Sequence, residues 1–117
     1  MKINFVFDDQ VVTAILNDSP TAQDFANQLP LTVELEDYAS TEKIAYLPRK
    51  LTTKSAPNGT SAKTGDLAYY APWGNMAVFY KDSGYASGLI KLGEFNTGTE
   101  RFNSGGAMKV TIEKVSL

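Results

Sequence analysis

A chain of 117 residues, 43% apolar and 21% charged, is long enough for one domain with a true core and too short for two. A net charge of −2, with eleven scattered lysines and arginines, lacks the basic footprint that nucleic-acid binding requires. There is no cysteine and no histidine, which excludes disulfides, thiol nucleophiles, zinc sites of the usual type and every Ser-His or Cys-His mechanism.

Lys2 to Phe7 alternates, with Ile3, Phe5 and Phe7 on one face, and predicts a half-buried strand. Asp8-Asp9-Gln10 supplies a turn, and Val11 to Leu16 returns as the hairpin partner. Ser19-Pro20 reads as a helix start, a hydroxyl N-cap followed by proline in the first helical position. Ala22, Phe25, Ala26 and Leu29 then form an apolar stripe, and Pro30 is expected to end the helix. Leu31 to Glu36 alternates strictly, and Lys43 to Leu47 is a further short strand broken by Pro48. Thr52 to Gly65 is polar and small, which predicts a long exposed loop. Strands resume at Leu67 to Tyr70 and Met76 to Lys81, followed by a turn at Asp82-Ser83-Gly84 and a strand over Leu89 to Phe95. A poorly periodic segment after Gly98 has room for one helical turn, and Met108 to Val115 is the last strand. The expectation is a mainly β single domain over residues 1–117: a small closed barrel of eight strands, with one clear helix and room for a second short one.

Five aromatics fall between Gly65 and Lys81, among them the only tryptophan, carried on a Pro72-Trp73-Gly74-Asn75 turn. Alternation sets Leu67 and Tyr69 against Ala68 and Tyr70, and Val78 and Tyr80 against Ala77 and Phe79. One set fills the barrel and the other covers it or lines a groove. Three segments, Thr41 to Leu51, Gly65 to Lys81 and Gly88 to Glu94, resemble the bacterial cyclophilin-like domain family of uncharacterised function. The resemblance covers almost the whole chain and implies a small eight-stranded barrel related to cyclophilins.

It also raises peptidyl-prolyl cis-trans isomerase activity, which needs an apolar pocket for proline and a donor, usually a guanidinium, for the twisting amide. True cyclophilins carry an aromatic-His-Arg run before a proline; the comparable segment here is Ile44-Ala45-Tyr46-Leu47-Pro48, with Arg49 only after the proline. Met76-Ala77-Val78-Phe79 stands in place of the family's Ser-Gln-Phe-Phe and keeps only an aromatic. The catalytic set is therefore mostly stripped.

The leading expectation is a non-catalytic binding domain for a peptide segment or small ligand, with Tyr46, Tyr70, Trp73, Phe79 and Tyr85 as groove walls and Arg49 as polar anchor. The alternatives are a divergent isomerase using Arg49 and Phe79, and an accessory interaction domain that makes contact through Thr52 to Gly65. The isomerase requires Arg49 inside an apolar depression beside Phe79; the bland role for Arg49 is a surface pair with Glu42 or Asp37. No carboxylates recur with metal-site spacing, so no metal and no cofactor are expected. No apolar run reaches the roughly 18 residues that span a bilayer, so membrane insertion is not expected, and the partner is taken to be a peptide, a protein or a small ligand bound by a monomer. Met1-Lys2 runs straight into a strand pattern without a signal peptide; a cytoplasmic protein is expected if the chain is complete, an exported one if a leader has been removed.

Overall fold

The first hairpin sets the pattern for the rest of the chain. In a computed structural model that describes residues 1–115, β1 (Lys2–Phe7) and β2 (Gln10–Leu16) pair antiparallel across Asp8 and Asp9. Both turn residues have positive φ, 50° and 60°, as a two-residue turn matched to strand twist demands. Helix α1 (Pro20–Ala26) follows, with the Ser19 hydroxyl accepting from the Ala22 N–H and Pro20 at its start. The helix stops at Ala26 rather than running to Pro30, because the next two amides, Gln28 and Leu29, bond back only three residues, to Phe25 and Ala26, and tighten the last turn.

Six more strands complete the barrel: β3 (Leu31–Tyr38), β4 (Glu42–Tyr46), β6 (Asp66–Tyr70), β7 (Asn75–Phe79), β9 (Leu89–Phe95) and β10 (Met108–Lys114). Their order is β1-β10-β3-β4-β7-β6-β9-β2, every neighbouring pair is antiparallel, and β2 closes the ring on β1. The expected eight-stranded barrel is thus the observed one. No helix among the described residues is long and apolar enough to cross a membrane. The segment after Gly98 forms a lone 3-10 turn, Thr99–Phe102, which drives Phe102 into the barrel against Phe5, Phe7 and Phe95 at ring-centroid distances of 5.2–5.9 Å.

Two further strands lie outside the ring. The polar stretch read as a loop over Thr52 to Gly65 contains β5 (Gly59–Ala62), and the turn read at Asp82-Ser83-Gly84 runs into β8 (Ser83–Ser87). These two pair with each other as a separate two-stranded sheet. Gly59-Thr60-Ser61-Ala62 has neither the β-branched run nor the alternation of a strand; its conformation comes from its partner, not from its own propensity. Tyr85 lays its ring over Gly59, where an added Cβ would come within 2.7 Å of the tyrosine hydroxyl.

Inside the barrel Ile3, Phe5, Leu35, Leu67, Tyr69, Met76, Val78, Leu92 and Ile112 are all buried. One end is closed by a polar group: Lys43 points inward, fully buried, and its Nζ donates to the Gly106 carbonyl at 2.6 Å and lies 3.7 Å from the Asp37 carboxylate. The Tyr80 hydroxyl donates to the same carboxylate. At Gly93 the neighbouring backbone crosses so closely that a Cβ would sit 2.2 Å from the Ile15 carbonyl oxygen. Gly93→Ala is therefore expected to lose about 1–3 kcal/mol in urea unfolding, whereas Gly84→Ala, where a Cβ meets nothing within 4 Å, is expected to change little.

Candidate functional site

The outer wall of β4, β7, β6 and β9 carries a buried apolar cluster of its own. On β6 and β7 nearly every residue is buried, so alternation cannot mean core against solvent there. Ala68, Ala77, Phe79 and Leu89 project outward and are covered by Ala62 of β5, with Ile44, Tyr70 and Ala86 packed against them. The small residues Ala68 and Ala77 leave room for the β5–β8 pair to settle on the wall. Its cover is partial, and beside it remains a groove of about 220 Å³.

Register explains who lines that groove. Tyr38, Glu42 and Phe79 are successive cross-strand partners on β3, β4 and β7, and Asn75, Tyr70 and Leu89 form a second such row on β7, β6 and β9. All six line the groove, together with Ile44 between the rows and Ser83 and Ala86 from β8. The fourth wall is Trp73. The turn after β6 is drawn tight by two amides, Trp73 and Gly74, that both donate to the Tyr70 carbonyl, with Gly74 at φ +73°. This brings the indole over the groove, 5.3 Å from the Tyr70 ring and 5.5 Å from the Tyr38 ring, nearly perpendicular to each. Trp73 and Tyr38 remain 46% and 43% exposed.

The polar groups in the groove include an amide with a buried, unpartnered oxygen and an acid outside every ion pair among the described residues. Asn75 is 1% exposed; its Nδ2 donates to the Met76 carbonyl, while its Oδ1 is buried and unpartnered. Glu42 takes part in none of the four ion pairs among the described residues. Burial, and secondly the neighbouring Asp37 carboxylate, push the Glu42 carboxyl up to about 7. Asp37 itself is held below the usual carboxylate range, first by the Tyr80 hydroxyl. Burial and that same hydrogen bond raise Tyr80 to about 12.

Of the residues expected at a site, the structure brings Tyr70, Trp73 and Phe79 together and sets the other three apart. Tyr46 shares the outward face of Glu42 and Ile44 but lies beyond the groove, 63% exposed. Ala86 of β8 lines the groove, whereas its neighbour Tyr85 does not and is 66% exposed. Arg49 grips neither Glu42 nor Asp37. Its guanidinium makes a two-pronged pair with Asp24 on α1, at 2.8 and 3.2 Å, and the same carboxylate accepts the Thr52 amide at 2.7 Å. The Arg49 side of this pair lowers the Asp24 carboxyl. Glu42 and Asn75 lie inside segments the sequence marks, the Thr41 to Leu51 stretch and the Pro72-Trp73-Gly74-Asn75 turn, but neither stands out there as a site residue; the signal available for Glu42 is that alternation places it on the same face as Ile44 and Tyr46.

A cyclophilin-like family model matches residues 5–113. No curated protein matches the chain. Among solved structures, the solution structure of a hypothetical protein from Archaeoglobus fulgidus is similar, with a TM-score of 0.70 at 19% identity, covering 98% of this chain and 95% of that one. At that identity the likeness shows a shared fold.

Ionisation of Glu42 is disfavoured only in the folded chain, so the folded state holds its proton in a window where the unfolded chain has released it, from about 4.5 to about 7. Stability from this group is present below that window and falls as pH rises through it. Glu42→Gln removes the effect. The variant is expected to gain on the parent between pH 5 and pH 8 in urea unfolding, and the Glu42 carboxyl carbon should titrate near pH 7 by NMR. A pH-independent difference between the two proteins would contradict this environment.

Proposed function

The chain belongs to the cyclophilin-like family, and we propose that its barrel is a binding domain that holds a peptide segment or small ligand in the groove beneath Trp73. The observation that carries this reading is a half-exposed indole bracketed by two tyrosines over a groove whose lining includes the polar side chains of Glu42 and Asn75. Aromatic surface kept partly in water at a concave site is the usual composition of a ligand pocket, a mostly apolar lining with a few orienting polar groups.

The isomerase alternative draws less support. It needs a guanidinium beside Phe79, and the Arg49 guanidinium is engaged by Asp24 outside the groove. Without a donor aimed into the apolar depression, nothing there is placed to favour a twisted amide over a planar one. The interaction-domain alternative relied on a free loop over Thr52 to Gly65, and part of that stretch is committed to pairing with β8.

The test is amide-resolved NMR with a panel of Xaa-Pro peptides and small amines, acids and neutral fragments. Shifts are expected at Tyr70, Trp73, Asn75 and Phe79, without acceleration of prolyl exchange and without sensitivity to Arg49→Ala. Trp73→Ala is expected to weaken binding by about 2 kcal/mol, roughly thirtyfold, while Tyr46→Ala and Tyr85→Ala leave it unchanged. Faster prolyl exchange abolished by Arg49→Ala would instead establish the isomerase, and shifts confined to Thr52 to Gly65 would favour the interaction domain.

A further inference from the structure

Resting on the groove as a ligand site, we propose that it recognises an alkylammonium group, enclosed by the rings of Tyr38, Tyr70 and Trp73 and held by the carboxylate of Glu42. The charge of the lining decides the sign of the ligand. Among the described residues, no lysine or arginine lines the groove. Lys43, next to Glu42 on β4, points to the other side of the wall and is taken up by Gly106 and Asp37. Arg49 is taken up by Asp24. An anionic ligand would therefore meet the Glu42 carboxylate with only neutral donors (hydroxyl, indole and amide N–H) and no cation to balance it.

A cation meets the opposite situation. The Glu42 carboxyl lies in the same lining and takes part in none of the ion pairs among the described residues, so it is free to meet a cation. Three aromatic rings surround the same space, the two tyrosines each close to perpendicular to the indole, at 84° and 83°. Aromatic rings lining one partly dry space attract a cation through their negative faces. Size then limits the ligand. At about 220 Å³ the groove is smaller than the roughly 300–1,000 Å³ of sites for drug-sized molecules and suits a group the size of one side chain.

The acid supplies a pH dependence. Tyr38 of β3 is the direct cross-strand partner of Glu42, while Asp37 and Tyr80, on the inward side with Lys43, lie close enough to interact with it electrostatically. Asp37 is held ionised, so Glu42, at about 7, is the group that changes charge near neutrality. Affinity for an ammonium group rises as pH rises through that value.

Trp73 is the only tryptophan and reports on the groove directly. Its fluorescence is to be titrated at pH 8 with choline and with 3,3-dimethylbutan-1-ol, the same shape without the charge. Choline is expected to bind about tenfold more tightly than the alcohol. Glu42→Gln should narrow that preference, and choline should weaken between pH 8 and pH 6 in the parent but not in the variant. A second pair, N-acetyl-lysine amide against N-acetyl-norleucine amide, separates the sources of the ammonium. Preference for the lysine compound over choline assigns a peptide side chain, and the reverse assigns a free quaternary amine. If the alcohol binds as tightly as choline and Glu42→Gln changes nothing, the ammonium assignment fails while the groove stands as a ligand site. If neither choline nor the lysine compound perturbs Trp73, the ammonium assignment also fails, and shifts from the neutral and acidic fragments at Tyr70 and Phe79 decide separately whether the groove binds anything.

Discussion

Every side chain on β4, β6 and β7 points either into the barrel or out of it, and closure of the eight-strand ladder leaves no third choice. The consequence for this chain is unusual because both directions are apolar on the central strands. Leu67, Tyr69, Met76 and Val78 fill the interior, and Ala68, Tyr70, Ala77 and Phe79 make a second apolar surface outside. That surface has to be covered, and β5 and β8 cover it from segments with little strand character of their own. The groove is the part of the outer wall that this pair does not reach.

The same two-way choice sorts the charges. Glu42 and Lys43 are adjacent in sequence and end on opposite sides of one wall, the lysine inside with Asp37 and Gly106, the glutamate outside under Trp73. A carboxylate and an ammonium that would neutralise each other in an open chain are thus separated by the strand between them. Asp37, hydrogen-bonded by Tyr80 and close to Lys43, stays ionised and adds negative potential behind Glu42. The outer groove consequently combines aromatic rings with oxygen acceptors and, among the described residues, contains no cation of its own.

Much of this was legible in the sequence, for reasons that differ by element. The barrel strands carry period-two alternation or a continuous apolar run, and the helix announces itself through Ser19-Pro20, because caps and periodicity are local. The β5–β8 pair was not legible: Gly59 to Ala62 and Ser83 to Ser87 are strands only because each finds the other and both find the alanine-lined wall. Tyr70, Trp73 and Phe79 could be picked out from their density around one turn. Whether Tyr46 and Tyr85 join them depends on how far along the wall the groove extends and on which face of β8 meets it, and neither distance is local. Arg49 shows the same limit. Its partner Asp24 lies 25 residues back, on a helix whose placement against the loop after β4 no motif encodes.

The central claim is that the uncovered strip of the outer wall holds a cationic group beneath Trp73. A crystal structure of the protein soaked with choline tests it most directly, at a pH above 7 where Glu42 is ionised. The account requires density in the groove with the quaternary nitrogen against the Trp73 and Tyr70 rings and facing the Glu42 carboxylate. An empty groove with choline seated instead in the polar depression around Asp66 and Glu94 would contradict it.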